Sequence, residues 1–287
     1  MTYANKHAGK DYFVLTAVDG TRLDRAVLES KSIIFERGLS PADIRLGRFQ
    51  KTDYDTALKT RQHLANIGSI SLHGRFGDDT KPAFESAALQ EDGLHVNVGL
   101  TNFPYFEQDL LRDPALNLAL QEKGLKEHND RWAYLQQAVG AMGLVVTNEG
   151  SVVVRQRKSR FYDGFLNGPA GFLIFDDETA VLDPGTLSVP KNVLRLVRTE
   201  LGVESHNVVS MSQAGIYGHP VTGEFDIALI VGTELPDAYF EKRPNDERVT
   251  LLKKDDLEAI ADGKKMEDRN FMYSTWGAML AHLRRRE

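Results

Sequence analysis

Apolar residues along this chain fall into two rhythms. A period of two, rich in β-branched residues, predicts strands at 12–18, 94–100, 138–146, 152–154, 208–217 and 225–231. A period near 3.6 predicts helices at 53–65, 107–123, 131–137, 251–261 and 275–286, and another between Ser188 and Gly202. The type of 21–35 stays open, because helical spacing there runs into Ile33, Ile34 and Phe35. Asp19-Gly20 reads as a turn, Asn148-Glu149-Gly150 as a hairpin turn, and 74–81 as a loop. Glycines recur every few residues in the apolar stretch 138–146, which suggests close approach of another element. The boundary between two domains, 1–138 and 139–287, is placed there.

The helix after Ser188 carries its own start and stop. Ser188 suits a cap, Pro190 sits in the first turn where its missing N–H costs nothing, and Gly202 fits the left-handed position past the end. Val193, Leu194, Val197 and Leu201 make one apolar stripe. Positions 196, 199 and 200 share its flank.

Before this helix come a β-branched strand at 152–154, the basic run Arg155, Arg157, Lys158 and Arg160, the aromatics Phe161, Tyr162 and Phe165, and a Gly-Pro-Ala-Gly turn ending at Gly171. In this order the parts resemble the Nudix superfamily over roughly 141–235. Its box is a glycine, a glutamate after five residues, and a helix reading R-E-U-x-E-E-x-G-U, where U is aliphatic. Gly171, Arg195, Val197, Glu200, Gly202 and Val203 match, and Asp177 stands in the first glutamate position. Leu196 and Thr199 replace two helix carboxylates, and the connector is longer than the usual seven residues. The exit Gly99-Leu-Thr-Asn-Phe103 is similar to the N-terminal part of the UDP-glucose pyrophosphatase branch. Thr101 and Asn102 also suit plain helix caps.

The resemblance implies an α/β fold, a Nudix-type α/β/α sandwich with a mixed sheet, preceded by a smaller α+β domain. It implies hydrolysis of a nucleoside diphosphate linked to X, such as a UDP-sugar, with Mg2+ or Mn2+. Glu200 and Arg195 are the expected catalytic residues, and Glu200, Asp177 and Glu224 the expected metal ligands, with Glu178 and Asp226 as further acids. Arg155, Arg157 and Arg160 suit phosphate oxygens, Phe161, Tyr162 or Phe165 a stacked base, and Gly171 the bend beneath the ligand. Magnesium is often held by one or two protein carboxylates with substrate phosphates and water, so two lost acids weaken the site without forbidding it. The second reading is a Nudix-fold protein that binds a nucleotide-type ligand as a sensor, or runs a metal-free reaction.

Composition narrows the remaining classes. Among 287 residues, 41% hydrophobic and 26% charged is the balance of a soluble globular chain able to bury a substantial core. A net charge of −6 argues against a protein whose task is gripping nucleic acid. No apolar run has transmembrane length, and the first residues lack the core of a signal peptide, so no membrane partner is expected. With no cysteine there are no disulfides or thiolate sites, which suits a cytoplasmic location. His63 and His73 lack partners at ligand spacing. The expected partner is a small nucleotide-type molecule, and the oligomeric state, a homodimer included, is left open.

Overall fold

A computed structural model describes residues 5–7, 10–12, 80–90, 93–129, 131–159, 161–174, 189–219, 221–242, 248–261 and 271–284. The expectations for 13–79, with His63 and His73, and for Arg160, Asp177, Glu178 and Ser188 lie outside these residues.

The centre is a mixed sheet whose strands run in the order β11 (Val249–Leu252), β6 (Val152–Gln156), β5 (Val139–Val146), β10 (Phe225–Thr233) and β9 (Val208–Gly218). β5 and β10 are parallel, and the other neighbours are antiparallel. Two short strands, β7 (Leu166–Asn167) and β8 (Ala170–Phe172), join off the main path to β6 and β5. Strand β5 is buried along its whole length, so its period of two sorts residues between two cores. Val139, Ala141 and Val145 pack on one face, under the helix Val189–Leu201. Met142, Leu144 and Val146 pack on the other, under the helices Lys254–Ala261 and Tyr273–Arg284. The chain is therefore an α/β/α sandwich on a mixed sheet, as expected.

The Val189–Leu201 helix, α3 in chain order, buries Val193, Val197 and Leu201 as its stripe requires, and Gly202 closes it at φ 61°. Leu196 is buried with them. The helix lies close to the sheet because Gly143 has no side chain. A Cβ there would meet Val193 Cγ1 and Val197 Cγ2 at 2.9 Å each.

Ahead of the sheet, the short strands β1 (Asn5–His7) and β2 (Lys10–Tyr12) pair antiparallel, as do β3 (Thr80–Gln90) and β4 (Gly93–Asn102); the expected loop at 74–81 overlaps the first residues of β3. The single helix expected at 107–123 is two, α1 (Phe103–Leu111) and α2 (Pro114–His128). Pro114 cannot continue a helix, and the Asp113 side chain accepts from the Ala115 N–H at 2.7 Å to begin the next one. Buried Arg112 fixes the corner by donating to Asp109 (2.8 Å) and Asn117 (2.6 Å). The helix expected at 131–137 is a set of turns, with Gln137 at φ 44° and the Gln136 N–H donated to Asp109 at 2.7 Å. That carboxylate takes an amide that a helical turn would have used. At 251–261 the first residues belong to edge strand β11, where Leu252 is buried, and the helix begins at Lys254.

Contacts cross the expected boundary at 138: Gln121 donates to the Val221 carbonyl (2.9 Å), and the rings of Phe103 and Phe106 meet Phe172 edge-on. Among the described residues, no helix is long and apolar enough to cross a membrane.

Gly143→Ala is expected to destabilise the fold by roughly 1–3 kcal/mol, because two packed valines must give way. The check is a lower urea midpoint with an unchanged slope; an unchanged midpoint contradicts the packing.

Candidate functional site

Strand β5 divides one edge between two partners. Val145 and Val146 pair with β6, whereas Gly140, Ala141 and Met142 pair with β8. The two partners splay apart, and the chain leaving β6 turns back in a hairpin to β7. Arg157 accepts from Gly164 (3.0 Å) and donates to Phe165 (2.8 Å) through its backbone, and Gly164 turns the corner at φ 79°. This loop presents Arg157, Ser159, Phe161 and Tyr162 to two adjoining cavities.

The smaller cavity, about 170 Å3, lies in the splay itself. Its wall carries Arg155, Arg157, Lys158 and Arg248, against one carboxylate, Glu200. Glu200 reaches from α3 to the turn: Oε1 accepts from the Ala170 N–H at 3.2 Å, and Oε2 faces Arg155 Nη1 at 3.8 Å. Burial holds the Glu200 carboxyl above its ordinary pKa, while Ala170 and the arginines 155, 157 and 195 pull it down. Ala170 lines both cavities, Glu200 the smaller one and Gly171 the larger. Leu196 rests against the bend, with its Cδ2 3.0 Å from where a Gly171 Cβ would stand, and Thr199 is exposed.

The larger cavity, about 610 Å3, falls within the roughly 300–1,000 Å3 of small-molecule sites. Phe103, Phe106, Phe161, Tyr162, Phe172 and Tyr273 wall it, and Glu224 and Asp226 lie at the start of β10. Glu224 stands just before β10 and Asp226 is its second residue, and both line this cavity. Tyr162, held at φ 57°, donates its hydroxyl to Glu224 Oε1 at 2.8 Å. Burial pushes Glu224 up to about 8, helped by the Asp226 charge and opposed by Tyr162 and Arg157. Burial pushes Asp226 up to about 6, against Ser274, Arg157 and Tyr273. Beside them His219 is lowered to about 4 by burial, and Tyr162 is raised by burial.

Of the expected residues, Arg155, Arg157 and Glu200 meet in the smaller cavity, and Phe161, Gly171 and Glu224 line the larger. Arg157 lines both. Arg195 lines neither; its Nη2 donates to the Phe172 carbonyl (3.5 Å) and to Asn192 Oδ1 (3.4 Å), which ties the bend to α3. Phe165 supports Tyr162 edge-on, with ring centres 5.7 Å apart. Sequence reasoning missed Phe106, Tyr273, Lys158 and Arg248 as wall residues. The aromatic exit after Thr101 was the signal for α1, and nothing local marked Tyr273.

The resemblance to Nudix proteins implies Mg2+ or Mn2+, and the donor set can be tested against it. Among the described residues no three His, Cys, Asp or Glu side chains come together to hold a metal. On the helix edge one carboxylate remains, engaged by an amide and facing a guanidinium, and Glu224 lines the other cavity. Hard divalent cations take several oxygen ligands, for Mg2+ often one or two carboxylates with waters and substrate phosphates. The described residues of the smaller cavity offer one carboxylate among four cationic side chains, which is not a dedicated cage for such an ion.

No family model matches the chain, and no curated protein matches it. Solved structures do show similarity. The MutT protein of Methanosarcina mazei Go1 is 18% identical, over 52% of this chain and 94% of that one, with a TM-score of 0.37. The NUDIX domain of Shewanella oneidensis NrtR, complexed with ADP ribose, is 14% identical over 58% and 98%, also at 0.37. The bifunctional NMN adenylyltransferase/ADP ribose pyrophosphatase of Francisella tularensis is 13% identical over 62% and 48%, at 0.39. At these values the activities named for those proteins are theirs alone.

Glu224→Gln keeps an acceptor for Tyr162 and removes the ionisation. The unfolded group titrates near 4.5 and the folded group near 8, so the stability it contributes is full below pH 4.5 and lost as pH rises through 8. The variant is expected to match wild type at pH 4 and to exceed it by about 1–3 kcal/mol at pH 9. Urea unfolding at both pH values checks this; a difference independent of pH contradicts it.

Proposed function

We propose that the paired cavities bind a compound in which a heteroaromatic ring is joined to a diphosphate, the chemistry of a nucleoside diphosphate linked to X. One observation carries this reading: Arg157 lines both the aromatic cavity and the basic one. A ring held among Phe103, Phe161 and Phe172 would place its charged substituent against that guanidinium. The smaller cavity is below the size of a whole ligand site and suits a single charged group. Arg155 and Arg157 supply paired N–H donors for phosphate oxygens, a geometry a lysine cannot copy. Gly171 forms the bend beneath the ligand, and Arg195 positions that bend through Phe172.

Two chemical outcomes follow from such binding. The Arg155–Glu200 contact favours a protein that holds its ligand without hydrolysing it, or transforms it without a metal. The position of Glu200 beside Ala170, in the register of the Nudix box, supports the alternative, metal-dependent hydrolysis of a UDP-sugar or related compound. For that reaction the cation would need further acids, and Asp177 and Glu178 are among those the sequence offers shortly after the bend.

Incubation with UDP-sugars, ADP-ribose and dinucleotides, with Mg2+, Mn2+ or chelator, tests the reading. Thermal stabilisation by at least one of them is expected, with Arg157→Ala weakening that ligand roughly tenfold or more. No stabilisation by any compound under any condition contradicts the proposal.

A further inference from the structure

We infer that the cleft between β6 and β8 is a cation-independent diphosphate site, in which guanidinium groups meet the phosphate oxygens directly and Glu200 restrains them. This deepens the reading above and rests on it for the ligand's class. Four cationic side chains and one carboxylate line the smaller cavity, so its field favours an anion before any ligand arrives. Arg155 is only 19% exposed and Glu200 27%, so water screens their interaction less than it would on an open surface.

The place of Glu200 then fixes its part. Its two oxygens face the Ala170 N–H (3.2 Å) and Arg155 (3.8 Å), so a divalent ion taken up by Glu200 would sit beside a guanidinium and among the other basic groups of the cavity. The neighbouring positions on the helix edge give no help, because Leu196 is in the core and Thr199 faces solvent. A carboxylate so placed orients Arg155 and offsets part of the cleft's positive charge. An arriving diphosphate competes with it for the same donors.

This assigns Glu200 an effect of opposite sign to that of a metal ligand. Removing a metal ligand weakens diphosphate binding, whereas removing a restraining anion strengthens it. The probe is inorganic pyrophosphate, titrated calorimetrically into the full chain with chelator or with Mg2+. Binding in chelator is expected, tightened roughly tenfold by Glu200→Gln and weakened at least tenfold by Arg157→Ala, with circular dichroism showing both variants folded. Should Glu200→Gln fail to fold, persistence of wild-type binding in chelator and its loss in Arg157→Ala still decide the matter. Binding only with Mg2+, loss of binding in folded Glu200→Gln, or no binding in either buffer overturns the inference. Metal-free binding of pyrophosphate without binding of any nucleotide sustains this site and removes the broader reading. Nucleotide binding only with Mg2+ does the reverse.

Discussion

The divided edge of β5 is the constraint on which the site depends. A strand has one row of backbone donors and acceptors on each side, and here one row is shared between β6 and β8. Two strands cannot occupy the same length of edge, so they part, and the side chains at the parting face a cleft. Arg155 lies near the end of β6, Ala170 begins β8, and Asn167 stands between them. The α3 helix closes the cleft from below because Gly143 lets it approach. Packing in the core and chemistry at the surface therefore share one cause.

Electrostatics give the two cavities different characters. In the smaller one cations outnumber acids, and burial weakens the carboxylate further by opposing its ionisation. In the larger one the acids outnumber Arg157, and the low polarity of the aromatic wall holds Glu224 protonated near neutral pH. Arg157 stands between them, 5.9 Å from the Tyr162 ring centre, and is attracted from both sides. A ligand spanning the two cavities would meet anion-attracting chemistry at one end and hydrogen-bonding acids among aromatic rings at the other.

Local signals were sufficient for part of this. The period of two along 138–146 places alternate residues on the two cores, and the spacing from Gly171 to Glu200 anticipates neighbours that the Ala170 to Glu200 hydrogen bond joins. Both are consequences of regular geometry, which sequence spacing encodes. The replacements Leu196 and Thr199 likewise foretold a helix edge short of carboxylates. Long-range packing was not legible. Nothing in the order of residues says that α1 covers β8 through Phe103, Phe106 and Phe172, or that Tyr273 reaches the acids of β10. The turns at 131–137 were read as a helix because periodicity there competes with a distant acceptor, Asp109, that no local window contains.

In the proposed site, arginine side chains do what metal ions would do beside a fuller set of carboxylates. Crystals grown with pyrophosphate and Mn2+ together, with anomalous diffraction measured for manganese, test it most directly. The account expects pyrophosphate against Arg155 and Arg157 and no manganese peak within bonding distance of Glu200. A manganese ion coordinated by Glu200 and bridging to the phosphate oxygens would contradict it.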